Sequence, residues 1–340
     1  MRKDALKPKV PSFSTSNDAG TWRRSARDDL EAIADTYGAD LGSVVAPEMS
    51  YEEAQALVRE SGVILPGFDD TIQKCGLSDL EASHFQFWEF FSGSCNATIA
   101  FLEEYQRNFG SGGLEPTPGG LEPASGGLTV VGPPIDIDHK RVSKASWRKL
   151  PTWDVLQHST RKLIWAIMIV AQPRWVHTAP PCTFWSVLSR RNNKRSESTN
   201  EELRLRALVF IIFSLQLCEY QVRFGRKCSF EHPPGCASWQ LDIVEELATQ
   251  TLAAGNARFD SCAWGHTDPG NARPFLKRQR FIANVPLADL DRRCSCQCKH
   301  QKVEGLVCSG ERKGVKRSYI AGEYPSRFCH AFANVVLNNL

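Results

Sequence analysis

From Phe85 onward the chain alternates short apolar runs with longer segments of helical periodicity, and this alternation narrows the fold more than any other feature. FQFWEFF, PRWVHTAPPC, KCSFEHPPG, ARFDSCAWG and RQRFIANVP are of strand length and give way to Gly, Pro or acidic residues. Between them stand CNATIAFLEEYQRN, STRKLIWAIMIVAQ, NEELRLRALVFIIFSLQLCEYQVRFG and LDIVEELATQTLAAG, each long enough for a helix. LTVVGPPIDID (residues 128–138) reads as a further strand ending in acids. Strands alternating with helices at this spacing predict an α/β domain built on a doubly wound, mainly parallel sheet with helices on both faces. ARFD and RQRF come last, as two closing strands.

The flanks read differently. Residues 1–27 are rich in Ser, Pro and charge and are expected to be a disordered tail. Residues 28–80 carry DDLEAIADTYGADL and SYEEAQALVRESG, which predict a small helical arm. The main domain spans 85–340. A Gly/Pro-rich loop at 110–127, with GGLEP twice, and a basic Cys-rich insertion at 287–317 interrupt it. MRKDALKPKV lacks the apolar core of a secretory leader, and the longest apolar run, LIWAIMIVA at 163–171, is too short to span a bilayer. The expected setting is therefore intracellular, away from membranes, and nuclear in a eukaryote. In such a compartment the 12 cysteines are thiols or metal ligands rather than disulfides.

Net charge is only +3, but its distribution is uneven. Residues 273–317 hold twelve Lys/Arg against four Asp/Glu, whereas residues 1–80 hold nine against fourteen. HKRVSKASWRK (139–149) and RRNNKR (190–195) are further basic runs. Such patches attract polyanions, although any one of them also reads as a plain solvated face.

In an open α/β sheet, ligands sit beyond the carboxyl ends of the strands. Three predicted strand ends carry chemistry-bearing residues. The first is Phe91-Ser92-Gly93-Ser94, where Gly admits close approach of backbone to a ligand. In the second, Pro180 and Pro181 stop the strand and present Cys182. The third is Phe230-Glu231-His232-Pro233. Taken singly, Cys182 reads as a small packed residue and Glu231 as a capping acid.

Their order along the chain resembles the DNA cytosine-5 methyltransferase family. The resemblance covers residues 85–336 as scattered motifs. It implies a Rossmann-like class I methyltransferase fold and S-adenosylmethionine as cofactor. Phe91 and Gly93 match the family's Phe-x-Gly turn, with Ser92 and Ser94 in the same loop. Asp136, in preference to Asp138, matches the acid that binds the ribose hydroxyls, and Asp154 the acid at the adenine. Pro180-Pro181-Cys182 matches the Pro-Pro-Cys nucleophile, Glu231 the acid of Glu-Asn-Val, and Arg278 and Arg280 the Arg-x-Arg pair. Cys95-Asn96 replaces the family's glycine pair, His232 its Asn and Leu276 its Gln. Only about thirty residues separate Pro286 from the last helix, where the family places a long target-recognition region.

The residue types suit that chemistry. A thiolate adding to C6 of cytosine makes C5 nucleophilic toward a sulfonium methyl, and Cys supplies the strongest such nucleophile. An acid beside N3 stabilises the attacked ring, and a raised pKa suits Glu231 to that task. Arg278 and Arg280 would hold the base or its phosphate. In duplex DNA, the expected partner in preference to RNA, the base must be flipped out. Two competing readings stand beside this one. The first is an inactive relative that only binds nucleic acid, of mobile-element origin. The second is an amino-methyltransferase, against which Ala179 and Cys182 argue, because those enzymes use Asp/Asn-Pro-Pro-aromatic.

A separate cluster, Cys294, Cys296, Cys298 and His300, offers four zinc ligands within seven residues. The alternative is a thiol-rich surface loop. Cys75, Cys218, Cys228, Cys236, Cys262 and Cys329 read as packed or incidental.

Overall fold

β1 (Phe87–Phe90), β2 (Trp175–Thr178) and β3 (Lys227–His232) are buried at almost every position, which is why they read as unbroken apolar runs. They belong to a computed structural model that describes residues 47–61, 85–91, 96–109, 131, 135, 153–186, 197–295, 297 and 299–340. The tail at 1–27, the loop at 110–127 and most of the arm lie outside the described residues. β4 (Gly255–Asp260) and β5 (Arg278–Ala283) complete a five-stranded sheet of order β1-β2-β3-β5-β4. β1, β2 and β3 pair in parallel. β5 runs antiparallel to both β3 and β4, so four of the five strands point the same way. On the far side of β1, Val131 and Ile135 make parallel bridges to Phe87 and Phe90.

The chain thus leaves β1, pairs on one side of it at 131–135, and returns through β2 on the other side. β1 is where the winding direction reverses. Open α/β sheets bind ligands at the carboxyl end of such a point.

Two cores cover the two faces. Trp88, Phe90, Val176, Cys228 and Phe230 pack under α1 (Tyr51–Glu60), α3 (His158–Ala171) and α4 (Glu197–Arg223), together with the short α5 (Asp242–Glu246). Phe87, Trp175, Ala257, Phe259 and Phe281 pack under α2 (Asn96–Phe109) and α7 (Ser326–Leu337), which also contact each other. Period-two alternation along the strands sends neighbours such as Phe87 and Trp88 to opposite cores.

Local rules explain the helix ends. Ser50 and Glu53 form a reciprocal capping box at α1. Glu89, buried in β1, accepts from the backbone N–H and hydroxyl of Thr98 in the first turn of α2 (2.9 and 2.6 Å). The fully buried Arg161 donates to the carbonyls of Val155 and Leu156 (both 2.8 Å), turning an apparent exception in an apolar helix into a clamp on its entry.

The Cys-rich insertion is more than a surface loop. Phe275, Val307, Ile320 and Ala321 form a small core of their own beside α6 (Arg317–Ile320). Leu306 bridges to Lys316, and the buried Asp268 pairs with Arg317. No helix among the described residues is long and apolar enough to cross a membrane.

Candidate active site at the carboxyl edge of the sheet

β2 ends at Thr178, yet Ala179 N–H still bonds Phe90 O (3.2 Å), so the strand direction persists to the prolines. Pro180 and Pro181 have no N–H to donate. The chain turns at Cys182, whose carbonyl accepts from Trp185 and Ser186 (both 3.0 Å). Ala237 N–H to Trp185 O (2.9 Å) ties this turn to the 3₁₀ turn Ala237–Gln240 that follows β3. The tie brings Cys236 to Cys182. The Cys236 thiol donates to the Cys182 sulfur and Lys277 adds positive charge, together outweighing burial and lowering the Cys182 thiol to about 6. The Cys236 thiol is pushed the other way, chiefly by serving as that donor.

Glu231, the penultimate residue of β3, sits on the same edge. Burial, reinforced by the negative charge of Cys182, raises its carboxyl to about 8 against the opposing pull of Lys277. Its two oxygens differ. Oε2 accepts from the Tyr324 hydroxyl (3.4 Å), whereas Oε1 is buried with no hydrogen-bond partner among the described residues. Behind it runs a chain of donors. Trp175 Nε1 donates to Ser229 Oγ (3.1 Å), Ser229 Oγ lies 2.9 Å from His177 Nδ1, and His177 Nε2 lies 3.3 Å from the Tyr324 oxygen. Burial holds the imidazole neutral, its pKa lowered to about 3. One assignment then uses each proton once: Ser229 donates to Nδ1, Nε2–H donates to Tyr324, and Tyr324 donates to Glu231. His177 also stacks on Phe281, with ring centroids 5.2 Å apart.

His232 bonds Ser238 through Nδ1, which ties the end of β3 to the 3₁₀ turn Ala237–Gln240, while its Nε2 is buried with no hydrogen-bond partner among the described residues.

The arginines lie at the rim. Arg278 is 3.5 Å from Asp260 and largely exposed. Arg280 stacks over Trp239 at 4.1 Å and donates to Asn256. The cation whose charge acts on both Cys182 and Glu231 is Lys277. Its side chain reaches toward Gly322 O (3.5 Å). Sequence reasoning passed over Lys277 although it adjoins Arg278. Tyr324 and Cys236 offered no spacing signal at all.

At the carboxyl end of β1, Phe91 leaves the strand with a φ of 59°. This left-handed conformation is unusual for an aromatic residue. Phe91 N–H bonds Ile135 O (2.7 Å), and its ring meets Phe210 edge-on. Ser92, Gly93, Ser94 and Asp136 lie outside the described residues. Asp154 accepts from Leu156 N–H (3.1 Å) and Gln157 Nε2 (3.3 Å), so its carboxylate holds the turn into α3. Of the thiol-rich cluster, Cys294 and His300 come together, joined by Cys262; Cys296 and Cys298 lie outside the described residues.

No family model and no curated protein sequence matches the chain. What the site does must be argued from its chemistry. A thiol poised to ionise near neutrality stands beside a carboxyl poised to stay protonated. The pair fits nucleophilic addition with proton donation to the same substrate.

Proposed function

We propose that this protein transfers a methyl group from S-adenosylmethionine to C5 of cytosine in nucleic acid through a covalent Cys182 adduct. The observation that carries the reading is the pairing of Cys182 with Glu231 at the carboxyl edge, with Glu231 Oε1 buried and unpartnered. Such an orphaned oxygen is costly unless a ligand meets it.

The Cys182 thiolate adds to C6, forming the S–C6 bond, while Glu231 gives its proton to N3 so that no charge builds on the ring. S-adenosylmethionine, when bound, supplies the electrophilic methyl that C5 attacks. Loss of the C5 proton to solvent water then expels Cys182 as thiolate, and N3 returns its proton to Glu231. Tyr324 keeps Glu231 oriented throughout, because its hydroxyl occupies Oε2 and leaves Oε1 to face the base. Lys277 steadies both the thiolate and the spent carboxylate.

The mixed α/β sheet supports a Rossmann-like class I methyltransferase fold, and the reversal at β1 marks where its cofactor would lie. Phe91, with its left-handed backbone at that exit, fits an adenosyl group approaching closely. Exposed Arg292, Lys299, Lys302, Lys313 and Lys316 support a polyanionic partner.

The test is calorimetric titration with S-adenosylmethionine, followed by transfer of labelled methyl to single- and double-stranded DNA. Cofactor binding and 5-methylcytosine in the product are expected. Binding without transfer would favour the inactive nucleic-acid-binding relative, and absence of binding would overturn the methyltransferase reading.

A further inference from the structure

We propose that Cys262, Cys294 and His300 bind one Zn²⁺ that clips the exit of β4 to the basic insertion. Their ligand atoms all lie within 4.8 Å of one another, and Cys294 Sγ is 3.3 Å from His300 Nε2. Two ligands on a tetrahedral zinc, at bond lengths near 2.3 Å for sulfur and 2.0–2.1 Å for nitrogen, stand about 3.5 Å apart. The three atoms need only small shifts to admit an ion.

Each ligand is held by hydrogen bonds of its own segment. Cys262 lies in the 3₁₀ turn Ser261–Trp264, which Ser261 anchors by donating to Phe275 O (2.9 Å) and accepting from Lys277 N–H (3.0 Å). Cys294 N–H bonds Asp260 Oδ2 (2.8 Å), and Asp260 N–H bonds Arg292 O (2.9 Å). His300 precedes Gln301, whose N–H bonds Pro274 O (2.8 Å) and whose side chain accepts from Asn271 (2.9 Å). The ligands therefore come from two segments about thirty residues apart. That is the arrangement structural zinc sites use, and it is absent from the compressed run 294–300 taken alone.

Two thiolates and an imidazole form a soft donor set. It selects zinc over magnesium or calcium, which take oxygen ligands. A tetrahedral ion on these three side chains keeps one position for a further ligand. The ion would fix Arg292, stacked over Trp264 at 4.0 Å, together with the exposed Arg293, Lys299 and Lys302, as one rigid basic surface. Nothing in this site depends on the methyl-transfer chemistry.

The experiment measures metal in the full chain purified without chelator, then replaces the ion with Co²⁺ and records its visible and charge-transfer absorption. One zinc per chain and a tetrahedral, thiolate-ligated cobalt spectrum are expected. Changing a group that only orients a zinc ligand costs about 10–100-fold in affinity, so removing a ligand itself, in Cys262→Ser or His300→Ala, should weaken binding more than about 100-fold. Cys308→Ser, at an exposed thiol outside the trio, should leave it unchanged. Circular dichroism of each variant separates ligand loss from unfolding. Substoichiometric metal would overturn the proposal. So would a folded Cys262→Ser protein that binds zinc as tightly as the wild type.

Discussion

At the scale of single residues, two neighbouring groups are pushed in opposite directions by their environments. The Cys182 thiol falls to about 6 because Cys236 donates to it and Lys277 sits near. The Glu231 carboxyl rises to about 8 because it is buried. In the proposed reaction the productive form has Cys182 ionised and Glu231 protonated, so it gains as pH rises through about 6 and is lost as pH rises through about 8. The rate of adduct formation should be bell-shaped between these limits, with limbs that belong to the coupled pair. Glu231→Gln should remove the alkaline limb and slow the reaction by about 10²–10⁴-fold. Tyr324→Phe should instead move that limb upward, because the hydroxyl it removes stabilises the carboxylate. A limb that stays in place in Tyr324→Phe would remove Tyr324 from the mechanism. Cys182 and Glu231 were legible because Pro-Pro and a strand end frame them. Lys277, Tyr324 and Cys236 were not, because residues so far apart in sequence meet only through sheet pairing and the packing of α7.

At the scale of elements, the closing hairpin carries the sharpest steric demand. A Cβ on Gly255, the first residue of β4, would meet Val285 O at 2.0 Å. That atom is backbone and cannot swing aside. Gly255→Ala should destabilise the fold by about 2–4 kcal/mol in denaturant titrations, in the range of severe overpacking. Gly225→Ala is the control. Its φ is +69° and its would-be Cβ has open space, so only a conformational penalty of about 1–2 kcal/mol applies. Equal losses would mean that β4 and β5 do not close as described. The strands of this region were readable from their apolar residues: Ala257 and Phe259 of β4 alternate with exposed Asn256 and Arg258, and Phe281–Ala283 of β5 are buried. Two features escaped. The segment LDIVEELATQT forms only a short α-helix before a π-helical turn at Leu247–Thr251. Val307 of the insertion packs in a small core with Phe275, Ile320 and Ala321 from outside it, a dispersed set with no period to reveal it.

At the scale of the whole molecule, the sheet divides two apolar cores and leaves its carboxyl edge to polar groups. Phe91, Cys182, Glu231 and Lys277 reach that edge from four separate elements. The β/α alternation in the sequence implied the layers, but not the strand order or the reversed direction of β5, which long-range pairing decides. The same architecture places the basic insertion beside the edge, so binding to DNA should weaken steeply with salt if those cations meet phosphates. The central claim is that Cys182 forms a covalent bond to the base. Its most direct test is mass spectrometry of the protein incubated with S-adenosylmethionine and DNA carrying 5-fluorocytosine, where fluorine at C5 blocks the elimination that frees the thiol. The account predicts a stable protein–DNA adduct mapped to Cys182, absent in Cys182→Ser although that variant still binds the cofactor. Cofactor-bound wild-type protein that forms no adduct with either single- or double-stranded fluorinated DNA would contradict it.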